Sequence, residues 1–451
     1  VTLRVGIVGA GISGLSTHHF LEREAARTGV DIQVQTWDPR PAPGGNVRTE
    51  SRDGWRCEEA AESILNSRTE TKDLALELGL ADRIVQASPL AKKRFLVWGG
   101  RLRAMGPGSV FGSFPTWAAK IQALKEPFVA RGPVDETFAE FGRRRLGAGL
   151  FEQVMDPMVT GIYAADPENL SIRSAFPRIK AMEQEHGSLV RALWKGRKAR
   201  TKLPKDRQAG SGSYSFRGGM TDLVNALAAS LKGPVFGGEP LSRLERLESG
   251  WCLHGATRTA EVDRVVLALP SHQVGEIGGL PEGSLRDLRS IPYNPVAVVG
   301  LGFSRDQVEH PLDGFGFLVP RLERRKILGT LFTSSLWKDA APAGHVLLRT
   351  MVGGGRNPEL AGLPEDEMAE MVRHELSELL GARGQPVFTH VKRYVRGIPQ
   401  YPVGHREVVE RLRRDLSPLD LFIAGNAWDG IGVNDCVAAS KERAAKILAG
   451  A

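Results

Sequence analysis

The chain has 451 residues, 41% of them hydrophobic and 25% charged, which is enough apolar material for two or three domains of ordinary size. No stretch approaches the run of about 18 apolar residues that a membrane-spanning helix needs, and Cys57, Cys252 and Cys436 lack metal-ligand spacing. The net charge of +8 favours an anionic partner, and nucleic acid is disfavoured because no RNP, finger or helix-turn-helix pattern accompanies it.

A Val- and Ile-rich strand from about Leu3 opens the chain, so no signal peptide is expected and the protein reads as reduced and cytoplasmic, with no metal site. It leads into Gly9-Ala10-Gly11-Ile12-Ser13-Gly14 and a helix start. Gly9 serves the sharp turn, Gly11 lets a ligand approach the backbone, and Gly14 lets the helix press on the strand, so its N-terminal N–H groups face a pyrophosphate. A second strand, Ile32 to Trp37, ends in Asp38, near the spacing of roughly 20 residues at which a carboxylate meets ribose hydroxyls. Gly44 and Gly45 then permit a second close backbone approach, as an extended dinucleotide requires.

A helix is expected over Glu70 to Leu80 and a hairpin over Lys92 to Arg103, around Gly99-Gly100. From Met105 to Arg207 strand alternation gives way to helical patterning with apolar residues such as Val110, Phe111, Trp117 and Phe128. This stretch ends in the basic run His186 to Arg207, a solvated helix face or a contact for anionic lipid. Ser215 to Met220 reads as a turn into a helix over Thr221 to Leu231, followed by strands in Pro234 to Leu253 and a buried strand over Asp263 to Pro270. Val296 to Phe303, Gly314 to Val319, Lys326 to Phe332 and His345 to Val352 suggest a second sheet. Leu421 to Asn426, a loop and a helix over Asn434 to Leu448 complete the first, placing a helix N-terminus where it favours negative charge.

Five ordered motifs carry a resemblance: Pro89-Leu90-Ala91-Lys92-Lys93-Arg94-Phe95, Gly161-Ile162-Tyr163-Ala164-Ala165-Asp166-Pro167, Gly314 to Pro320, Gly397-Ile398-Pro399-Gln400-Tyr401, and Gly425 to Cys436. With the glycine motifs, the chain resembles the FAD-dependent oxidases of the amine-oxidase-like superfamily, and within it the protoporphyrinogen oxidase family. The resemblance implies an α/β fold: a discontinuous Rossmann-like FAD-binding domain (1–85, 208–290, 394–451), a mixed-sheet substrate domain (86–104, 291–393) and an inserted helical, membrane-associating domain (105–207).

It further implies six-electron oxidation of a porphyrinogen by FAD and molecular oxygen, with hydrogen peroxide released. The flavin carries the chemistry, so no side chain is expected to act as a catalyst. Arg94 is expected on a propionate, Leu318 and Leu331 on two sides of one substrate ring, Met351 against another, and Gly161 at close backbone approach. For the cofactor, Gly9, Gly11, Ile12, Ser13 and Gly14 are expected at the pyrophosphate, Asp38 at the ribose, Gly44 and Gly45 at the flavin end and Leu241 at adenine. Gly425, Val433 and Asn434 are expected at the flavin ring. Ala42, where the family usually has arginine, and Glu58-Glu59-Ala60-Ala61, in place of Glu-x-Gly-Pro, depart from the pattern. Rival readings are coproporphyrinogen III oxidation, amine oxidation or carotenoid desaturation on the same fold, and an inert FAD-binding paralogue.

Overall fold

The computed structural model of the chain describes residues 2–106, 114–200 and 212–449. Five parallel strands form the first sheet, in the order Val235–Gly237, Ile32–Asp38, Leu3–Val8, Arg264–Leu267 and Leu421–Ile423. Parallel strands covered on both faces read as continuous apolar runs, and Val5, Ile7, Val265, Val266 and Leu267 are fully buried. The Ile12–Thr28 and Val433–Ala449 helices cover one face through Leu15, Phe20, Val437 and Ile447. On the other face lie Trp251, Leu253 and Val262 of a three-stranded sheet and Val409 and Leu412 of the His405–Leu416 helix. The chain leaves Leu3–Val8 toward Ile32–Asp38 on one side and returns as Arg264–Leu267 on the other. That reversal opens a crevice at the carboxyl ends of the strands, where open α/β sheets bind ligands.

The second sheet has seven strands in the order Phe388–Pro399, Tyr293–Ser304, His345–Gly353, Ile327–Leu331, Gly316–Leu318, Arg94–Trp98 and Arg101–Met105. One face packs Ala297, Val299, Leu301, Leu348, Phe317 and Val97 on Met368, Val372 and Leu376 of the Glu365–Leu380 helix. Alternation sends the intervening side chains to the opposite face, toward the first sheet's crevice. The Phe388–Pro399 strand crosses the expected domain boundary at 393/394: its ladder with Tyr293–Ser304 extends from Gly302↔Phe388 to Tyr293↔Pro399, with a register shift between Asn294 and Val296. Ser213–Phe216, whose last two residues are expected in a turn, is instead a strand between Ile64–Leu65 and Ile84–Gln86. All four of its side chains are buried, so it shows no alternation to read.

Helices from Trp117 to Arg200 form a third region around Phe138, Phe141, Val159 and Tyr163. A buried ionic cluster sits beside this core: Arg145 Nε donates to Glu183 at 2.8 Å, and Lys180 Nζ donates to Glu183 at 2.6 Å and to Glu136 at 2.8 Å. Glu126 accepts from Ser188 Oγ at 2.6 Å and from the Leu189 N–H at 2.8 Å, capping the Leu189–Arg200 helix. Of the basic run, Arg191 and Lys195 lie on this helix; the side chains of Arg197, Lys198, Arg200, Lys202, Lys205 and Arg207 lie outside the described ones, as do Val110 and Phe111. Among the described residues, no helix is long and apolar enough to cross a membrane.

Candidate active site

The cradle begins where the central strand meets its helix. Gly9 has φ +119°, and a Cβ there would lie 2.7 Å from the Ala268 carbonyl. A Cβ on Gly14 would lie 1.8 Å from the Gly9 oxygen, which is the close helix-to-strand packing expected of the third glycine. Above Gly11 the only near atom is the Gly45 Cα, 3.8 Å from an added Cβ. The Gly pair closes over the same loop: the Gly44 N–H donates to the Ala10 carbonyl at 2.7 Å, and a Cβ on Gly45 would come within 2.9 Å of the Gly11 Cα. Ile12 and Ser13 form the first helical turn, whose N–H groups have no intrahelical acceptors.

Asp38 is 1% exposed and already engaged: Oδ2 accepts from the Ala10 N–H at 2.6 Å and Oδ1 from the Arg40 N–H at 2.8 Å. A carboxylate has about four acceptor positions, so capacity remains for ribose hydroxyls while the group also fixes the glycine turn. Leu241 follows Glu239, whose N–H donates to the Asp38 carbonyl at 2.9 Å; its side chain packs in the core with Trp37.

The opposite end of the crevice is built by the C-terminus. Val433 and Asn434 open the last helix, and Ser440 further along it donates to the Ser13 carbonyl at 3.0 Å, joining this helix to Ile12–Thr28. Asn434 Nδ2 donates to the Leu65 carbonyl at 2.9 Å, whereas its Oδ1 is buried without a hydrogen-bond partner among the described residues. Gly425, with φ +135°, donates its N–H to Asp429 at 2.9 Å, and Asp429 also accepts from Arg443 at 2.6 Å and Arg413 at 3.1 Å. The Tyr401 hydroxyl donates to the Asn426 carbonyl. His405 stacks on Tyr401 at 4.4 Å and 11° and is bonded to the Ala427 carbonyl; burial pushes its pKa down to about 4. The Gly397-to-Tyr401 motif thus anchors the loop that follows Gly425. The glycine cradle, the orphaned Asn434 acceptor and the helix N-terminus together fit a dinucleotide carrying a polar ring.

Around the two departures, nearby arginines bond to the main chain and to Asn46. Arg48 donates to the Ala42 carbonyl at 3.1 Å and to the Gly45 carbonyl at 3.2 Å, while Arg40 donates to Asn46 at 3.3 Å. These side chains, with Glu59, Lys392 and Tyr394, line a cavity of about 230 Å³ beside the Gly pair. Glu58 accepts from the Met220 N–H at 3.0 Å and from Thr49 Oγ1 at 2.8 Å; burial, reinforced by Glu62, pushes its pKa up to about 8. The Ala60-Ala61 segment is held by Arg349, which is 3% exposed and donates to the Glu58 carbonyl at 2.7 Å and the Ala60 carbonyl at 2.6 Å.

On the second sheet, Leu318 pairs with Gly329 and Gly329 with Met351, forming one row; Gly316, Leu331 and Arg349 form the next. Paired residues share a face, so Leu318, Leu331, Met351 and Arg349 all lie on the face opposite the Glu365–Leu380 helix, the face from which Arg349 reaches the Glu58 and Ala60 carbonyls. A Cβ on Gly161 would meet Leu318 at 2.6 Å, placing the Asp156–Tyr163 helix against that row. Arg94 is exposed at the start of its strand, its guanidinium carbon 5.2 Å from the Phe315 ring centroid. The expected clamp residues therefore converge on one face, and Arg349 links this face to the cofactor crevice. Arg349, absent from the sequence expectations, leaves one signal: a charge inside the apolar strand His345–Gly353.

The family model for flavin containing amine oxidoreductases matches residues 12–448. Protoporphyrinogen oxidase 2, chloroplastic/mitochondrial, of Arabidopsis thaliana is 31% identical over 485 residues, covering 99% of this chain and 94% of that protein. Coproporphyrinogen III oxidase of Bacillus subtilis (strain 168) is 28% identical, covering 96% of this chain and 95% of its own length. The crystal structure of a protein from Exiguobacterium sp. 255-15, provisionally assigned as a protoporphyrinogen oxidase, superposes with a TM-score of 0.85 at 26% identity, over 100% of this chain and 99% of that one. The chain belongs to the flavin containing amine oxidoreductase family and is an FAD-dependent oxidoreductase.

Proposed function

We propose that the chain oxidises a porphyrinogen to the porphyrin in tetrapyrrole biosynthesis, removing six electrons with molecular oxygen as final acceptor and releasing hydrogen peroxide. Protoporphyrinogen IX is the substrate expected from the motifs, and coproporphyrinogen III is the alternative that the second group of relatives favours. The observation that carries the reading is the apolar floor of Leu318, Gly329, Met351 and Leu331, with Arg94 at its edge, facing the cofactor crevice.

Such a floor suits a flat macrocycle that is hydrocarbon at its centre and anionic at its rim. Gly329 has no side chain between Leu318 and Met351, and a Cβ there would lie 2.6 Å from the Phe317 carbonyl and 2.9 Å from Leu318, so the glycine lets the Leu318 side chain lie flat across the sheet. Leu318 and Leu331 hold one ring, Met351 another, and Gly161 brings its backbone carbonyl close. Arg94 neutralises a propionate with a planar fork that stays charged at any working pH. Gly9, Gly11, Ile12, Ser13 and Gly14 hold the FAD pyrophosphate, Asp38 the ribose, Leu241 the adenine, and Gly44, Gly45, Gly425, Val433 and Asn434 the flavin end. Bound FAD supplies the two-electron acceptor used in each of three successive oxidations. The protein's residues position the reacting carbon, exclude competing reactions and balance the carboxylates.

The test is anaerobic mixing of purified yellow holoenzyme with each porphyrinogen, following loss of flavin absorbance, then admitting air and recording porphyrin fluorescence and peroxide. Bleaching by a porphyrinogen, with red fluorescence after air, is the expected result. An intact flavin that neither compound bleaches rejects the reading in favour of an inert or differently specific relative.

A peripheral site on an anionic membrane is proposed for the same enzyme. Trp117, Ile121, Leu124 and Phe128 recur at helical spacing and are 58%, 58%, 75% and 86% exposed, with Lys120 and Lys125 among them. Apolar side chains beside cations suit the interface of an anionic bilayer. Co-sedimentation with phosphatidylglycerol vesicles at low salt is expected, and its absence rejects this location.

A further inference from the structure

We infer that Arg101 and Arg103 form a second carboxylate-binding rim beside Arg94 and turn the preference of this site toward a porphyrinogen with four carboxylates over one with two. The inference rests on the porphyrinogen reading and adds to it two residues and a direction of selectivity. It starts from strand register. In the Arg94–Trp98 and Arg101–Met105 hairpin, Leu96 pairs with Arg103 and Trp98 with Arg101. Leu96 also pairs with Leu318 of the next strand, and Leu318 pairs with Gly329, the partner of Met351. Arg103 therefore ends the same cross-strand row that forms the apolar floor, and Arg101 lies two residues away on the same face.

The opposite face confirms this orientation. Phe95, Val97 and Leu102, the alternating neighbours, pack into the core under the Glu365–Leu380 helix. With strands about 4.8 Å apart and about 6.8 Å per two residues, the Arg103 Cα lies roughly 10 Å from that of Leu318 and roughly 8 Å from that of Arg94. Arg101 lies roughly 7 Å further along its strand. Three guanidiniums are thus strung along the edge of this sheet face, outside the buried Leu96 and the Trp98 ring that packs on Phe114 at 5.2 Å.

All three side chains are exposed, and none takes part in an ion pair among the described residues, whereas the adjacent Lys93 is held by Asp313 at 2.5 Å. Charges on an edge strand commonly discourage strand addition, but that role is indifferent to the substrate. A porphyrinogen with propionates on all four rings presents carboxylates on more than one border, whereas one with two propionates presents vinyl groups there instead. A vinyl group against Arg101 and Arg103 strips water from cations without pairing them, which is a cost that selects against it.

The experiment compares kcat/KM for coproporphyrinogen III and protoporphyrinogen IX in holoenzyme carrying Arg101→Gln, Arg103→Gln or both, with Arg103→Lys as the conservative change and Arg406→Gln as a distant control. The wild type is expected to favour coproporphyrinogen III. The double variant should lose about ten- to hundredfold in kcat/KM for that substrate, mostly through KM, the scale of one or two charge-assisted hydrogen bonds. Protoporphyrinogen IX should lose far less, and Arg103→Lys should recover part of the loss. FAD content and the thermal midpoint, measured alongside, detect any general damage. An equal loss on both substrates, no loss on either, or a wild-type preference for protoporphyrinogen IX overturns the inference while leaving the porphyrinogen reading intact. Oxidation of neither compound by the wild type rejects that reading and the inference with it.

Discussion

Replacing His405 with glutamine is expected to remove one buried imidazole's share of the acid sensitivity around the Gly425-to-Gly432 loop. The ring is 5% exposed, stacks on Tyr401 at 4.4 Å and is the first residue of the His405–Leu416 helix, where the positive end of the dipole also disfavours a cation. Burial is the largest influence and lowers its pKa from 6.5 to about 4. Between these values the unfolded chain binds a proton that the folded chain refuses. Stability from the neutral ring is therefore complete above pH 6.5, declines as the pH falls, and is lost below about pH 4. At 1.36 kcal/mol per pKa unit the window is worth about 3 kcal/mol. Because the ring is bonded to the Ala427 carbonyl and Tyr401 donates to Asn426, the same window should govern FAD retention. Urea midpoints by far-UV circular dichroism and FAD release by filtration, read every half unit from pH 7.5 to 4, test this. Glu58, whose pKa lies at about 8, and the partly buried His19, His272 and His310 titrate in both proteins, so the quantity read is the difference between wild type and His405→Gln holoenzyme, which should narrow by about 3 kcal/mol as the pH falls through the window. Parallel pH profiles for the two proteins refute the reasoning.

Arg349→Met leaves the Glu58 and Ala60 carbonyls without their donor and should cost about 3–5 kcal/mol, the scale for breaking a buried charged contact. The visible spectrum of bound flavin should shift and FAD should leave faster, with Arg349→Lys intermediate; wild-type spectra in both variants would separate Arg349 from the cofactor crevice. Glu126→Ala removes the acceptor of Ser188 and the Leu189 N–H and one of the two carboxylates that hold Arg145, so limited proteolysis should cut first within the Leu189–Arg200 helix. Cleavage starting elsewhere counts against that cap. Gly14→Ala drives a Cβ to 1.8 Å from the Gly9 oxygen, and the protein should purify without its yellow colour; a fully loaded variant disproves the tight strand-to-helix packing.

The cradle was legible because its physics is local. Only glycine tolerates the φ of +119° at position 9 and the contact at position 14, so the composition of eleven consecutive residues specifies strand, turn and helix. The buried strands were equally legible, since apolar runs covered on both faces leave few alternatives. Phe388–Pro399 was not, because its site-facing positions include His390, Lys392 and Tyr394, and its alternation resembles a polar loop until Tyr293–Ser304 lies beside it. The place of Asp38 at the end of its strand was legible, but its acceptance of the Ala10 N–H depends on how close the two strand ends lie.

Arg349 marks the limit of sequence reading most clearly. Two of its partners are main-chain carbonyls 291 and 289 residues away, which carry no sequence signature, and the third is the buried Glu62 carboxylate at 3.5 Å, one acid among many in the sequence. What the sequence does carry is the interruption itself: a guanidinium in the middle of Leu347-Leu348-Arg349-Thr350-Met351. A buried charge without partners is too costly to keep, so that position demands acceptors before any are known. Strand alternation then selects the face: Leu348 enters the core, and Arg349 and Met351 must share the other side. The residue that holds the cofactor crevice and the residue expected against the substrate are thus two steps apart on one rigid strand. A displacement of either reaches the other through a single turn of the pleat.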